Sequence, residues 1–317
     1  MINVEMHGRL GNQLFQYAAA RSLQEKVKQP LFFSFRTVEG ENDKEGKSGW
    51  EDSLKKFKVK EYGTYYGNKS ILFLNTSFMQ KIIGLLYYFS YKPILLKSEF
   101  EFETLYLHQK KWQRLLNKFG IQWLKQGYYN YETVYKHKTY VLNGGFESKR
   151  YFDDIKDLLR LEIVPIQELT SKDEELIKVL QSTNSVCISI RHFKLSDKKR
   201  ENIYNVCTTN YYKTAINEIK KMVENPIFYI CSDDQEWVRE NFEFNDCKII
   251  YENSENDVAV KLYLMTKCRN FIISNSTFSW WAQYLGDYAK KIVISPSKWY
   301  NSDFQSDLLN DDSLIKM

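Results

Sequence analysis

Predicted strands and helices alternate along the second half of the chain. Short β-rich segments and segments of helical periodicity follow one another from residue 171 to residue 294. Strands that alternate with helices of this length indicate a parallel sheet with helices on both faces, and therefore an α/β fold. We predict helices at 171–181, 209–224, 234–241, 255–267 and 277–286, and strands at 185–190, 227–231, 247–251, 270–274 and 291–294.

Polar residues follow three of these predicted strands. Arg191 comes after the first strand, Asp233 after the second, and Ser276 and Thr277 stand where the fourth leads into a helix. Ligands of parallel sheets bind beyond the carboxyl ends of the strands. Arginine can contact two phosphate oxygens at once, aspartate can accept hydrogen bonds from a base or ribose, and a helix N-terminus favours phosphate. Together these residues predict a site for a nucleoside diphosphate.

Each of these residues also has a purely structural interpretation. Arg191 can form a surface ion pair, Asp233 can cap the helix that follows it, and Ser276 or Thr277 can cap an ordinary core helix. Adjacent Asp233 and Asp234 cannot easily converge on one ion, so we expect no metal requirement.

The first half begins with a strand from Ile2 to Met6, a turn that contains Gly8 and Gly11, and a helix with a broad apolar face. This order is typical of a nucleotide-binding fold, although a plain tight turn explains the glycines equally well. The polar segment 39–49 is predicted to be a loop. A chain of 317 residues exceeds the usual size of one core, so we expect two domains with a ligand cleft between them.

Composition limits the partners and the location. A net charge of +5 and an isoelectric point near 8.7 are far below the charge density of a nucleic-acid binder, so no nucleic-acid partner is expected. The five cysteines show no CxxC spacing and are predicted to be buried free thiols in the cytoplasm. The N-terminus lacks the pattern of a signal peptide. Residues 78–140 carry ten Lys or Arg against four Asp or Glu, which fits either an anionic membrane surface or a solvated lysine face.

Six segments of the sequence stand out together: GRLGNQLFQYAAARSL (8–23), GGFESKRYF (144–152), CISIRHFK (187–194), YNVCTTNYYKTAI (204–216), FYICSDDQEWVREN (228–241) and ISNSTFSWWAQYLG (273–286). These motifs resemble the α-1,2-fucosyltransferases of glycosyltransferase family 11. The resemblance covers most of the chain and is loose over residues 36–140. It implies a GT-B-type fold of two Rossmann-like domains with parallel sheets: an acceptor-side domain at 1–165 and a nucleotide-sugar donor domain at 166–317.

The resemblance implies an inverting, metal-independent transfer of L-fucose from GDP-fucose to a galactoside, without a cofactor. By this comparison Arg191 neutralises the β-phosphate, and Asn12, in the turn formed with Gly8 and Gly11, reaches the donor across the cleft. The resemblance also implies that Asp233 recognises guanine. It further implies that the residues at the helix start hold the phosphates and pack near the nucleotide: Ser276, Thr277 and Phe278.

One motif departs from the family pattern. The family reads His-x-Arg-Arg-x-Asp, but Ser189 replaces the histidine, His192 the second arginine and Lys194 the acid. Two other functions therefore stay open: a transferase that uses another nucleotide sugar, and a catalytically silent carbohydrate-binding homologue.

The transfer also needs a catalytic base and an acceptor. A base must lie within reach of the acceptor hydroxyl, and His7, Glu147 and Glu201 are candidates, as is proton loss through water. The acceptor is expected to be an oligosaccharide or a lipid-linked glycan. A cytoplasmic protein with a basic aromatic segment can contact the inner membrane face peripherally.

Overall fold

The computed structural model describes residues 1–45, 49–98, 100–132, 136–192, 197–244 and 247–317, with the side chains of 42–45 left aside. The chain forms two compact units. Unit 1 comprises Met1–Lys55 and Val59–Leu159, and unit 2 comprises Lys56–Lys58 and Arg160–Met317. The chain thus changes unit after Leu159, a few residues before the predicted domain boundary at 165, and the domain assignment stays a prediction.

Unit 1 contains a five-stranded parallel sheet in the order β3-β2-β1-β5-β4. The central strand β1 is completely buried, including its polar residues Asn3 and Glu5. The strands are β1 (Ile2–Glu5), β2 (Leu31–Ser34), β3 (Gly63–Tyr65), β4 (Ile121–Gln122) and β5 (Tyr140–Asn143), and the helices are α1 (Leu10–Val27), α2 (Arg36–Glu45), α3 (Phe78–Lys97) and α4 (Phe102–Lys118).

The predicted loop at 39–49 is wrong over residues 39–45, because α2 ends only at Glu45, while Gly49 lies in a turn and residues 46–48 lie outside the described part of the chain. Tertiary contacts fix the first turn of this helix. Val38 is fully buried, while the side chains of Arg36 and Thr37 both bind the carboxylate of buried Glu5 on β1, at 2.9 Å and 3.1 Å. These contacts outweigh the weak helix propensity of the polar sequence, which includes Gly40.

Helices α3 and α4 cover an aromatic cluster of unit 1. Tyr87 of α3 stands at its centre, with ring centroids 5.9 Å from Trp112 of α4 and 5.5 Å from Trp123, which follows β4. Its hydroxyl donates a 2.6 Å hydrogen bond to the carbonyl of Trp123. No helix in the described part of the chain has the length and apolar character needed to cross a membrane.

Unit 2 contains a six-stranded parallel sheet in the order β11-β10-β9-β6-β7-β8. Helix α5 (Lys156–Glu162) leads into it. Its strands are β6 (Ser185–Ile190), β7 (Ile227–Ser232), β8 (Lys248–Tyr251), β9 (Asn270–Ile272), β10 (Val293–Ser295) and β11 (Leu314–Lys316), and its helices are α6 (Ser171–Ser182), α7 (Lys198–Tyr204), α8 (Thr209–Met222), α9 (Gln235–Asn241), α10 (Val258–Met265) and α11 (Thr277–Leu285).

The ten elements predicted between residues 171 and 294 are all present, within a few residues of their predicted ends. The α/β class, with a Rossmann-like parallel sheet in each of two units, is therefore confirmed. Helix α7 and strand β11 were not predicted. All five cysteines are free thiols, as predicted, but Cys247 is only half-buried.

Candidate functional site

The carboxyl ends of β6 and β7 bring Arg191 and Asp233 together. The two strands are neighbours, and Ile190 stands opposite Ser232, so the residues that follow them meet at the same edge of the sheet. Nη1 of Arg191 lies 2.7 Å from Oδ2 of Asp233. The other carboxylate oxygen accepts a 3.0 Å hydrogen bond from the backbone N–H of His192. Asp233 thus holds the arginine by its side chain and by the following peptide.

A second pair stands beside the first. Nδ1 of His192 lies 2.9 Å from Oδ2 of Asp234, and the imidazole stacks on the ring of Trp237 with centroids 4.1 Å apart. Asp234 also caps α9, because its Oδ1 accepts from the N–H of Trp237. The structure therefore gives His192, one of the departures from the family pattern, a role in fixing the segment that carries Arg191.

Two tyrosines of α8 form hydrogen bonds with the backbone at this edge of the sheet. The hydroxyl of Tyr212, fully buried, accepts a 3.1 Å hydrogen bond from the backbone N–H of Arg191. The hydroxyl of Tyr211 donates a 2.6 Å bond to the carbonyl of Ile273, just beyond β9. Both residues lie in a motif that resembles the family, but nothing in the sequence indicates which backbone groups they bind.

The segment after β9 leads into α11 as predicted. β6 lies between β7 and β9 in the sheet, so Arg191 is flanked by Asp233 on one side and by the start of α11 on the other. Ser276, Thr277 and Phe278 are half-buried. Ser276 occupies the cap position, but its side chain makes no capping hydrogen bond within the described residues. Its hydroxyl is therefore not used to cap α11.

Asn275 anchors this turn. Its Nδ2 donates to the carbonyls of Tyr204 at 2.8 Å and Trp299 at 3.0 Å, and its buried Oδ1 has no hydrogen-bond partner among the described residues. The hydroxyls of Ser274 and Ser279 lie 3.2 Å apart beneath it. These contacts fix the backbone from which the first turn of α11 projects.

Glu252 is a buried carboxyl group at the same edge that the sequence reasoning missed. It follows β8 directly, and its Oε1 accepts a 3.0 Å bond from the N–H of Ser232. Burial raises its pKa to about 7, against the opposing effects of Lys261 and the Ser232 bond. Like Arg191, Glu252 is the first residue after a predicted strand, and this position in the sequence already indicates the ligand-binding edge.

In unit 1, the turn after β1 is held by two glutamines of α1. The Gln16 amide donates to the carbonyl of His7 at 3.2 Å and accepts from its N–H at 2.8 Å. Gln13 donates to the carbonyl of Gly8 at 3.0 Å and accepts from the N–H of Ser53 at 3.0 Å. The turn is therefore fixed in one conformation by side chains of the helix that it introduces.

Gly8 and Asn12 meet at this turn. Gly8 has a φ of +71°, and a Cβ there would stand 2.5 Å from Nδ2 of Asn12. Both the left-handed backbone and the space therefore require glycine. Gly11 is buried in the first turn of α1, where Asn12 is half-buried. The structure thus places these three predicted residues together, in unit 1, while Arg191, Asp233 and the start of α11 lie in unit 2.

The three candidate bases differ sharply in their environments. Nε2 of His7 lies 2.9 Å from Oδ1 of Asn143. Burial, with the charges of Lys125 and Arg36, lowers its pKa to about 4 despite that bond. Glu201 lies on α7 in unit 2, where its carboxylate pairs with Lys198 at 3.2 Å.

Glu147 stands out among the three. It follows β5 by four residues, and its side chain folds back over Gly145, where a Cβ would lie 3.5 Å from Cγ of Glu147. No hydrogen bond or ion pair holds its carboxylate among the residues that the structure describes. Burial raises its pKa from an ordinary value of 4.5 to about 7. A half-buried carboxyl group with this pKa can exchange a proton near neutral pH.

Ser189 and Lys194 are the other two departures from the family pattern. Ser189 lies within β6, where it is buried and stands opposite Cys231 of β7. Lys194 lies outside the described residues. Among those residues, no three or more His, Cys, Asp or Glu side chains are grouped so that they could hold a metal ion.

Comparison with known proteins decides the family. The model of glycosyl transferase family 11 matches residues 1–316. The chain belongs to this family. It is 27% identical to the O-antigen biosynthesis glycosyltransferase WbnK of Escherichia coli, over 96% of this chain and 97% of that protein. The resemblance noted from the sequence motifs is thereby confirmed, and the protein is a glycosyltransferase.

Two further likenesses are more limited. The chain is 34% identical to an α-1,2-colitosyltransferase of Escherichia coli, over 50% of this chain and 56% of that protein. The crystal structure of the fucosyltransferase NodZ from Bradyrhizobium is similar at a TM-score of 0.46 and 12% identity, covering 89% of this chain and 92% of that one. At that TM-score the likeness is too distant to assign a function.

Proposed function

We propose that this family 11 glycosyltransferase transfers L-fucose from GDP-fucose to a galactoside hydroxyl of a surface glycan, forming an α-1,2 linkage. The observation that carries the proposal is the position of Arg191. Its guanidinium stands at the carboxyl end of β6, paired with Asp233 and adjacent in the sheet order to the strand that leads into α11. Arginine stays protonated at any physiological pH, and this edge is where parallel sheets bind ligands.

The chemistry of the transfer explains why such a group is needed. In an inverting displacement, the acceptor oxygen forms a bond to C1 of fucose while the bond from C1 to the phosphate oxygen breaks. Negative charge then develops on the leaving GDP. Arg191 and the first-turn N–H groups of α11 are fixed donors that stabilise this charge, so a divalent metal is not required.

Asp233 has two roles in this scheme. Its carboxylate orients Arg191 through the 2.7 Å ion pair, and it is also the residue that the family resemblance assigns to guanine. When a nucleotide binds, one carboxylate oxygen can keep the hydrogen bond from the N–H of His192, while the other is shared between Arg191 and guanine. The donor-binding roles of Gly8, Gly11 and Asn12, and of Ser276, Thr277 and Phe278, are part of the same proposal.

The acceptor hydroxyl must lose its proton as the new bond forms, and we assign this proton to Glu147. Its pKa of about 7 makes it a better match to neutral pH than His7, whose pKa is about 4. Glu201 is already paired with Lys198. The Glu147 carboxylate has no hydrogen-bond or ion-pair partner among the described residues, so it can accept the proton.

The experiment that tests the donor assignment is calorimetric titration of the purified protein with GDP and with UDP, both in EDTA. We expect GDP to bind and UDP not to bind. The variant Arg191→Ala should lose about 3–4 kcal/mol of transition-state stabilisation, which is a fall of about 10²–10³ in turnover of GDP-fucose. Because each partner of the Arg191–Asp233 pair is about one-third exposed, its loss should change the free energy of unfolding by at most about 1 kcal/mol.

Arg239→Ala is the matched control, since it removes an exposed arginine of the same unit that stacks on Tyr251. It should leave turnover unchanged. Near-normal turnover in Arg191→Ala, or GDP binding that needs a metal ion, would refute the assignment of this site.

One observation favours a second candidate donor. The α-1,2-colitosyltransferase relative is named for a sugar other than fucose, and Ser189 departs from the motif that the family resemblance ties to guanine recognition. The alternative is therefore the same type of transfer from another nucleotide sugar. Turnover of nucleotide-activated colitose faster than that of GDP-fucose would decide for it.

The acceptor and the location complete the proposal. WbnK is named for O-antigen biosynthesis, which supports a lipid-linked glycan acceptor at the cytoplasmic face of the inner membrane. The excess of positive charge between residues 78 and 140 supports a peripheral contact with that membrane.

A further inference from the structure

Helix α3 packs on unit 1 through one narrow face. Its buried residues, Gln80, Gly84, Tyr87 and Tyr91, recur at intervals of three and four and so line one side of the helix. The packing is close, because a Cβ on Gly84 would stand 2.5 Å from the side chain of Leu72. The orientation of α3 on the unit is therefore fixed.

The opposite face of α3 is apolar and exposed. Large apolar side chains are normally exposed singly, yet five of them are exposed along this one helix. They fall along a stripe that also includes half-buried Ile82 and exposed Pro93, at intervals of three and four residues. The exposed side chains of this apolar stripe are Phe78 (75% exposed), Met79 (47%), Leu86 (54%), Phe89 (59%) and Leu96 (77%).

Lysines border the apolar stripe on both sides. At 100° of rotation per residue, Lys81 and Lys92 fall on one border and Lys97 on the other. The ammonium group of Lys92 lies 5.7 Å from the ring centroid of Tyr88 and 6.0 Å from that of Phe89. The long lysine stems can lie along the helix while their charges reach outward.

The neighbouring helix α4 adds more positive charge. Its exposed positions in the second half are mainly basic, namely Lys110, Lys111, Arg114 and Lys118. Helix α3 itself carries three lysines and no acidic residue. A second copy of the chain placed on the stripe would therefore bring cations opposite cations, whereas an anionic partner would be complementary.

We propose that α3 lies in the surface of an anionic lipid bilayer, with the apolar stripe at the boundary between headgroups and acyl chains and the lysines at the lipid phosphates. A 20-residue helix with an apolar face bordered by lysines is suited to this position. The inference deepens the proposed peripheral membrane contact and rests on it, but it is independent of the donor, so GDP binding by the same preparations separates the two.

The test is flotation of the full-length protein with vesicles of phosphatidylcholine alone and of an equal mixture with phosphatidylglycerol. The wild-type chain should bind the mixed vesicles and bind them more weakly at high salt. The double variant Phe89→Glu/Leu96→Glu should lower the partition coefficient at least about tenfold, because it removes apolar contacts and adds negative charge to the stripe.

A matched control is available in unit 2. Leu161 is 74% exposed and Ile166 is 57% exposed, close to the values of Leu96 and Phe89. The double variant Leu161→Glu/Ile166→Glu adds the same charge and removes the same kind of side chain, but it should bind vesicles like the wild type. All four positions are solvent-exposed, so the thermal midpoints of both variants should stay within about 2–4 °C of the wild type.

Three results would overturn the inference. The first is unchanged vesicle binding in the stripe variant, and the second is an equal loss in the control variant. The third is a wild-type dimer in light scattering that becomes a monomer in the stripe variant without a change in vesicle binding, which would assign the apolar stripe to self-association.

Discussion

Replacing Glu147 by glutamine should stabilise the protein at alkaline pH while impairing turnover. Burial raises the pKa of this carboxyl group from 4.5 in the unfolded chain to about 7 in the folded one. Below pH 4.5 both states hold the proton, and the group has no effect on the stability difference. Between pH 4.5 and pH 7 the unfolded state loses its proton first, so the free energy of unfolding falls as pH rises.

The magnitude follows from the two pKa values. At 1.36 kcal/mol for each pH unit, ionised Glu147 costs at most about 3 kcal/mol above pH 7. Glutamine has nearly the same shape and no charge to bury. In urea denaturation, Glu147→Gln should therefore match the wild type at pH 4.5 and exceed its unfolding free energy by up to about 3 kcal/mol at pH 8.

Activity should change in the opposite direction. Wild-type turnover should rise with pH and level off with an apparent pKa near 7, whereas the variant should be slower by about 10²–10⁴ and show no such rise. Glu103→Gln is the control, because it removes an exposed carboxylate from α4 and should change neither property. A variant that is no more stable than the wild type at pH 8 would refute the burial argument, and full turnover would refute the role as base.

Two substitutions, each paired with a control, test how the site is held. Tyr212→Phe removes the acceptor of the hydrogen bond from the Arg191 N–H, so it should lower the free energy of unfolding in urea by about 1 kcal/mol and reduce turnover. The control Tyr229→Phe removes a buried hydroxyl that has no partner among the described residues, so it should be neutral or stabilising. Equal effects of the two would contradict the supporting role of Tyr212. Gly8→Ala forces a left-handed residue and a contact with Asn12, so it should cost about 1–3 kcal/mol, while Gly40→Ala, in a helix with nothing within 4 Å, should stabilise by about 0.5–1 kcal/mol. Thermal denaturation of both glycine variants measures these changes in stability. A Gly8→Ala variant as stable as the wild type would contradict the prediction.

Much of the site in unit 2 is readable in the sequence because its parts are local. Strand and helix periods repeat within ten residues or so, and they place Arg191, Asp233 and the start of α11 directly after buried strands. The parallel arrangement follows from the alternation of these elements. The family, too, is recognisable from short motifs, although the motif around Arg191 departs from the usual pattern.

The supporting contacts could not be read in this way, because they join residues far apart in the chain. Tyr212 meets the N–H of a residue twenty-one positions earlier, and Gln13 reaches Ser53 forty positions later. The loop predicted at 39–49 is wrong over residues 39–45 for the same reason, since Val38 and Glu5 fix α2 through tertiary contacts. Periodicity carries no information about which distant partner a polar side chain will find.

The sequence by itself thus determined the α/β class, the order of the elements in unit 2 and the residues at its strand ends, because local hydrophobic periods and turn residues encode them. Only the tertiary structure decided that β6 lies between β7 and β9, so that Arg191 pairs with Asp233 beside the strand leading into α11. It also decided that the apolar side of α3 faces outward. Strand order and helix orientation depend on non-local packing, whose free energy is distributed over contacts between segments that are distant in sequence.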